Sequence, residues 1–255
     1  MKTIGIFCAF LPNEAIPDYV KAYLANIRPH FTDFIMVMNR ASLPNWELEF
    51  IVGLNITPCF VNNEGYDFGM YYKVLQKFDC SEYDHVGLIN DSMVLFKPLD
   101  RTFSTYYRGG YDYFGMVSSP EKSLHIQSYF LLMNKKAFQL VFEYMKIHGL
   151  QETKELVVDT YEINLCTHLL ENKLKLGSAY NHKIVNANIN PSIYKANQLI
   201  KLGMPMVKKS LISNSSTGGL KHFLQKHGTA LDLELIKNDA NLFPLIYDHI
   251  MIMYD

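Results

Sequence analysis

YDHVGLINDSMVLFKP, residues 83–98, sets a short apolar run, Val86-Gly87-Leu88-Ile89, directly before Asn90-Asp91-Ser92, and a second run, Met93-Val94-Leu95-Phe96, directly after it. A continuous apolar run bounded by polar residues fits a strand buried on both faces, as in a parallel sheet. Ligands of open α/β sheets bind at the carboxyl ends of such strands, so Asn90, Asp91 and Ser92 are candidate ligand-binding side chains. A buried carboxylate is costly unless it is paired or holds a metal, and Asp91 therefore asks for a cationic partner. Mg²⁺ or Mn²⁺ would serve, because both favour oxygen ligands and bridge carboxylates to phosphates. The other reading is an Asx turn that closes the strand and leaves Asp91 in solvent.

The composition sets the outer bounds. A chain of 255 residues, 49% hydrophobic and 19% charged, buries a sizeable core and falls outside the disordered class. Its net charge of -1 gives no global basic field to recruit nucleic acid or an anionic membrane. The 17 Tyr and 16 Phe against 1 Trp make it rich in aromatics, which line sugar and base pockets as well as cores. Cys8, Cys59, Cys80 and Cys166 lack CxxC spacing, which suggests no zinc site and fits a reduced, cytoplasmic setting. The run Ile4 to Leu11 is too short for a signal peptide or a membrane span.

Outward from the central stretch, Thr3 to Phe10 reads as a first buried strand, Pro17 to Pro29 as a helix and Asp33 to Asn39 as a second strand. That β-α-β unit predicts a parallel sheet. Phe50 to Val61 contains a further strand limited by Pro58, and Gly65 to Phe78 becomes a helix. Beyond Pro98 the expectations are a helix at Leu99 to Tyr107, strands at Tyr111 to Val117 and Ile126 to Met133, and helices at Lys135 to His148 and Val158 to Leu170. Two more helices, Leu220 to His227 and Leu231 to Lys237, follow the Ser/Gly-rich Ser213 to Gly219. No linker separates domains, so a single α/β domain over about 1–210 with a helical C-terminal extension at 211–255 is the economical organisation.

Three further stretches carry chemistry. In Asn63-Glu64-Gly65-Tyr66-Asp67-Phe68-Gly69, two glycines four apart let the backbone approach a ligand at a helix N-terminus, and Asp67 can bind a sugar hydroxyl or base N–H. The alternative makes Gly65 a turn residue and Asp67 the helix N-cap. His125, Gln127 and Ser128 stand at the start of an apolar strand, where alternation puts His125 and Gln127 on one face and Ser128 on the other. Asp159 and Glu162 are three apart at a helix start, which suits either a capping box or a catalytic base at Glu162 with Asp159 beside it. His182 is a candidate third metal or diphosphate ligand, with Asp91 and Ser92. Lys208-Lys209 and the lysines from Lys221 to Lys226 suit either a solvated basic face or a peripheral contact with an anionic membrane or lipid-linked acceptor.

Taken in order, YDFGMY, YDHVGLINDSMVLFKPL, YDYFGMVSS, HIQSYFLLMNKKAF, YEINLCTHLLE and NQLIKLGMPMVKKSLI resemble the rhamnan synthesis protein F family, from about Asn62 to about Leu211. The resemblance implies a GT-A-like glycosyltransferase: a mixed, mostly parallel sheet with a nucleotide-binding half (about 1–98) and an acceptor half (about 99–210). It implies a nucleotide-diphosphate sugar as donor, dTDP-rhamnose by family association, and a glycan or lipid-linked saccharide as acceptor. Asn90-Asp91-Ser92 occupies the place of the Asp-x-Asp that holds Mn²⁺ or Mg²⁺ in such enzymes, with Asn and Ser where the aspartates stand. Asp67 and Gly69 fall where the nucleotide is held, and Phe7, Ala9 and Phe10 where its base stacks. Glu162 resembles the base of inverting members, and His125, Gln127 and Ser128 would orient sugar or acceptor. A nucleotide-sugar hydrolase and a glycan-binding module with a decayed site are the competing classes.

Overall fold

Every residue of β1 (Thr3–Ala9) is buried, and alternation divides them between two apolar layers. Phe7 and Ala9 enter the layer on one face of the sheet, while Ile4, Ile6 and Cys8 enter the layer on the other. The computed structural model describes residues 1–11, 15–180, 189–212 and 231. α1 (Asp18–Ile27) lays Tyr19, Val20, Tyr23, Leu24 and Ile27 on the first layer, the helical spacing expected of a one-sided apolar stripe. β2 (Asp33–Met38) then pairs in parallel with β1. α2 (Asn45–Gly53) leads to β3 (Thr57–Phe60) beside β2. α3 (Tyr66–Leu75) returns the chain to β4 (His85–Asn90), parallel to β1 on its other side.

The strand order 3-2-1-4 reverses direction at β1, so the carboxyl ends of β1 and β4 flank a topological switch point. Cys8 is in register with Asn90 there. The second half builds on β4. After β5 (Met93–Leu95) and α4 (Asp100–Gly109) come β6 (Tyr113–Ser119), β7 (His125–Ile126) and β8 (Phe130–Asn134). β8 lies antiparallel between β4 and β6. α5 (Lys135–His148) follows, capped by Asn134 accepting from Ala137 N at 3.0 Å. The next helix begins as α6 (Lys154–Val157), widens into a π-helical turn at Val158–Asn164, and continues as α7 (Leu165–Glu171). β9 (Leu176–Tyr180) runs parallel to β6. α8 (Pro191–Tyr194), α9 (Ala196–Lys201), β10 (Met206–Lys208) and α10 (Lys209–Ile212) close the described chain, β10 pairing antiparallel with β5. The result is the expected mixed, mostly parallel sheet, eight strands in all, flanked by helices.

Several expectations shift. Residues 45–53 form a helix that the sequence reading did not contain, and Pro58 sits inside β3 because β3 is an edge strand with no ladder donor to lose on its free side. The strand expected over 126–133 breaks at Gln127-Ser128-Tyr129, between β7 and β8. The helix expected from Val158 starts at Lys154, capped by Thr153, whose hydroxyl accepts from Leu156 N at 3.2 Å. The two helices expected after residue 219 lie outside the described residues, Leu231 apart. Among the described residues, no helix is long and apolar enough to cross a membrane.

Candidate active site

A cavity of about 560 Å³ opens at the switch point, between the ends of β1 and β4 and the π-helical turn. It is large enough for a nucleotide-sized ligand. Phe10, Asp67, Asn90, Asp91, Ser92, His125, Gln127, Ser128 and Glu162 all line it. Residues from both halves of the chain therefore meet in one cleft, Asp91 facing the same space as Glu162.

At the β4 end the polar groups are tied to one another. Asn90 Oδ1 accepts from Ser92 N at 3.1 Å and from Ser92 Oγ at 2.6 Å, an Asx turn closing the strand. Asn90 Nδ2 donates to Asp67 Oδ2 at 2.7 Å, and Asp67 Oδ1 accepts from Phe68 N at 3.0 Å. Burial pushes the Asp67 carboxyl above its ordinary value, against the lowering by the Asn90 amide. Asp91 is buried rather than solvated. Its cationic partner comes from the chain itself: Lys209 Nζ lies 3.2 Å from Asp91 Oδ2. The Tyr19 hydroxyl lies 3.3 Å from the same oxygen and takes a 2.8 Å hydrogen bond from Lys209. This position does not fit a divalent cation, because the Asp91 oxygen facing Lys209 already neutralises an ammonium. Among the described residues no three His, Cys, Asp or Glu side chains gather as metal ligands.

The other wall centres on Glu162. Ser128 Oγ donates to Glu162 Oε1 at 2.5 Å, and His125 Nε2 stands 3.6 Å from Oε2. His125 Nδ1 lies 2.8 Å from the Ser123 carbonyl, which can only accept, so Nδ1 carries a proton there and Nε2 faces the carboxylate. Burial raises the Glu162 pKa, with the Ser128 hydrogen bond, His125 and Lys208 opposing it. The π-helical turn explains why Glu162 and Asp159 part company, since a π turn breaks the three-residue spacing that would align them in an α-helix. Tyr161 goes into the core, stacked on Phe68 at 4.8 Å, and Glu162 goes to the cavity.

Not every expected residue reaches the cleft. Phe7 and Ala9 are fully buried in the core, Phe7 edge-to-face with Tyr23 at 5.2 Å, because β1 is still continuous sheet at those positions. Phe10, just past the strand end, is 48% exposed and is the aromatic of that trio that lines the cavity. Gly69 packs inside α3, where a side chain would collide with the Glu64 carbonyl, so it serves helix packing and not a ligand. Gly65, not Asp67, precedes the helix as its cap, at φ 75°; Tyr66 follows with φ 57°, a left-handed conformation uncommon outside glycine, and lines the cavity. Asp159 is neither cap nor cavity residue; it pairs with Lys122 at 2.6 Å. His125, Gln127 and Ser128 all face the cavity because the strand breaks there, against the alternation expected of a continuous one. Gln127 is engaged at both ends, donating to Asn190 Oδ1 at 2.9 Å and accepting from Ser192, which makes it a wall that holds the cleft together. His182 lies outside the described residues.

The basic pair Lys208-Lys209 is no solvated face: Lys208 lines the cavity and Lys209 binds Asp91. Tyr19 and Tyr66 are among the residues that the sequence reading did not contain, and Lys208 entered it only as half of a basic pair. The late GMPMVKKSLI stretch held the signal for Lys208, an apolar run ending in two lysines.

A family model described as rhamnan synthesis protein F matches residues 44–250. The chain belongs to that family. No curated protein matches it. Among solved structures, it is similar to 4-diphosphocytidyl-2C-methyl-D-erythritol synthase from Anaerococcus prevotii DSM 20548, at 10% identity and a TM-score of 0.50, covering 78% of this chain and 98% of that one. A protein described as a nucleotide-diphospho-sugar transferase from Desulfovibrio desulfuricans G20 aligns at 15% identity and a TM-score of 0.43, covering 93% and 98%. A cytidylyltransferase from Leptospira borgpetersenii serovar Hardjo-bovis aligns at 10% identity and a TM-score of 0.41, covering 79% and 93%. At such identity the likeness to the synthase speaks to fold, and it agrees with the single α/β domain expected for the family.

Proposed function

We propose that this member of the rhamnan synthesis protein F family is a glycosyltransferase. It moves a sugar from a nucleoside-diphosphate donor to a hydroxyl of a glycan or lipid-linked saccharide, with inversion at the anomeric carbon. The observation that carries the reading is the meeting of the β4 polar end and Glu162 in one cavity at the switch point. The family description, rhamnan synthesis, favours a rhamnosyl donor; our reading is dTDP-rhamnose, used on the cytoplasmic side, at the inner face of a membrane if the acceptor is lipid-linked.

Phe10 and Tyr66, both partly exposed at the cavity rim, give the base aromatic faces to stack on. Asp67 and Asn90 form a fixed polar pair beside them that reads ribose hydroxyls. In a single displacement the acceptor oxygen bonds to the anomeric carbon while the bond from that carbon to the diphosphate breaks. The proton of the acceptor hydroxyl passes to Glu162, and the nucleoside diphosphate leaves with the electron pair. Ser128 holds one carboxylate oxygen in place, and the His125 ring stands beside the other, 3.6 Å away.

The test is release of nucleoside diphosphate from a panel of nucleotide sugars, with and without a panel of oligosaccharide and lipid-linked acceptors. Acceptor-dependent release, lost in Glu162→Gln, is the expected result. Equal release without acceptor would make the protein a hydrolase, and binding without release under any condition would make it a glycan- or nucleotide-binding module.

A further inference from the structure

Two adjacent lysines, Lys208 at the end of β10 and Lys209 at the start of α10, face different things. The ladder Met206↔Leu95, Val207↔Val94 and Lys208↔Met93 fixes β10 to the strand that follows Asp91-Ser92. Lys209 N adds a 2.9 Å hydrogen bond to the Ser92 carbonyl. Lys209 turns to Asp91 and Tyr19, at 3.2 and 2.8 Å. Lys208 turns to the cavity, where its ammonium stands 5.7 Å from the centroid of the Tyr129 ring. It makes no hydrogen bond or ion pair with another described residue. Of the other lysines on the cavity wall, Lys122 is committed to Asp159 and Glu155, and Lys154 is exposed at a helix start.

A departing diphosphate gains negative charge and needs a cation close to its oxygens. An unpaired Asp91 would repel it, and a divalent ion on Asp91 would reverse that repulsion. In this molecule the repulsion is already cancelled by Lys209, and a second ammonium waits in the cavity. We infer that Lys208 is the cation that receives the donor's diphosphate, and that Lys209 holds Asp91 away from metal binding, so that a nucleoside diphosphate binds here without a divalent cation. The inference rests on the nucleotide-sugar reading above and names the group that holds its leaving end. An ammonium suits the role as a compact point charge with three donors.

The experiment is titration calorimetry of the full chain with UDP, GDP, CDP and dTDP, each in EDTA and in Mn²⁺, for the wild type and for Lys208→Met, Lys208→Arg and Lys209→Met. Melting temperature checks that each variant is folded. For the nucleotide that binds, wild-type affinity in EDTA is expected to lie within a few-fold of that in Mn²⁺. Lys208→Met is expected to bind about tenfold more weakly or worse, the loss of one charge-assisted contact, with Lys208→Arg close to wild type. Lys209→Met is expected to bind weakly in EDTA and to be rescued by Mn²⁺, because its freed Asp91 can then take the ion. Wild-type binding that collapses in EDTA would overturn the inference and leave the nucleotide reading standing, as would undiminished binding by folded Lys208→Met. Absence of binding by all four nucleotides in both conditions would overturn the nucleotide reading and this inference with it.

Discussion

The two walls of the cavity are built from the same kinds of side chain and are left in opposite states. On the β4 wall, Asp67, Asn90, Asp91, Ser92, Tyr19 and Lys209 satisfy one another through short contacts, and the Asp91–Lys209 pair cancels its own charge. Elsewhere in the lining, Glu162 of the π-helical turn has a hydroxyl on one oxygen and an imidazole nitrogen 3.6 Å from the other, and Lys208 of β10 has no ion-pair partner among the described residues. A closed network rigidifies and positions, whereas an open one has protons and charge to give. On the proposed reading, the closed β4 end shapes the nucleotide site, while Glu162 and Lys208 handle the proton and the diphosphate.

The largest effect that can break this contrast is on Glu162. Glu162→Gln keeps the shape, and turnover is expected to fall by about 10²–10⁴-fold with nucleotide affinity little changed, as measured by steady-state kinetics beside calorimetry. A pH series sharpens the same point. Because burial raises its pKa, Glu162 reaches its basic form only above the ordinary carboxylate range of about 4.3, so activity climbs with pH on an acid limb displaced upward. That limb should vanish from the residual activity of Glu162→Gln.

The closed wall should instead answer in stability. Lys209→Met strands a nearly buried carboxylate, at a cost of about 1–3 kcal/mol in a denaturant melt. Adding Asp91→Asn should recover most of that loss, the non-additivity expected of a coupled pair. Phe10→Ala, at an exposed rim position, should weaken nucleotide binding by about tenfold through lost stacking while leaving the melting temperature unchanged. The smallest effect belongs to Asp159→Asn. Its bridge to Lys122 is surface-exposed, so stability should move by less than about 1 kcal/mol and turnover should hold.

The fold was legible where local pattern and burial coincide. Val86 to Ile89 is a strand buried on both faces, and a continuous apolar run says so without help from distant residues. The β1 run was equally clear, yet it could not separate Phe7 from Phe10: a strand's interior is decided by its neighbours, and its exact end by where the ladder stops. Glu162 was legible as a candidate because a carboxylate near a helix start has few roles, but the same position fitted a cap equally well. What separated the two was Thr153, five residues before the expected start, together with a π turn that no helical periodicity announces. Lys208 and Lys209 were hidden for a different reason. Their roles depend on the ladder between β5 and β10, a pairing of residues more than a hundred positions apart that local pattern does not encode.

Backbone hydrogen exchange is the sharpest test of whether a nucleoside diphosphate binds at the switch point between β1 and β4. With the best-binding member of UDP, GDP, CDP and dTDP added in excess, exchange is expected to slow at residues 63–70, 89–92 and 206–209, with α5 unchanged. Protection confined to other segments, or none at saturating nucleotide, would contradict it.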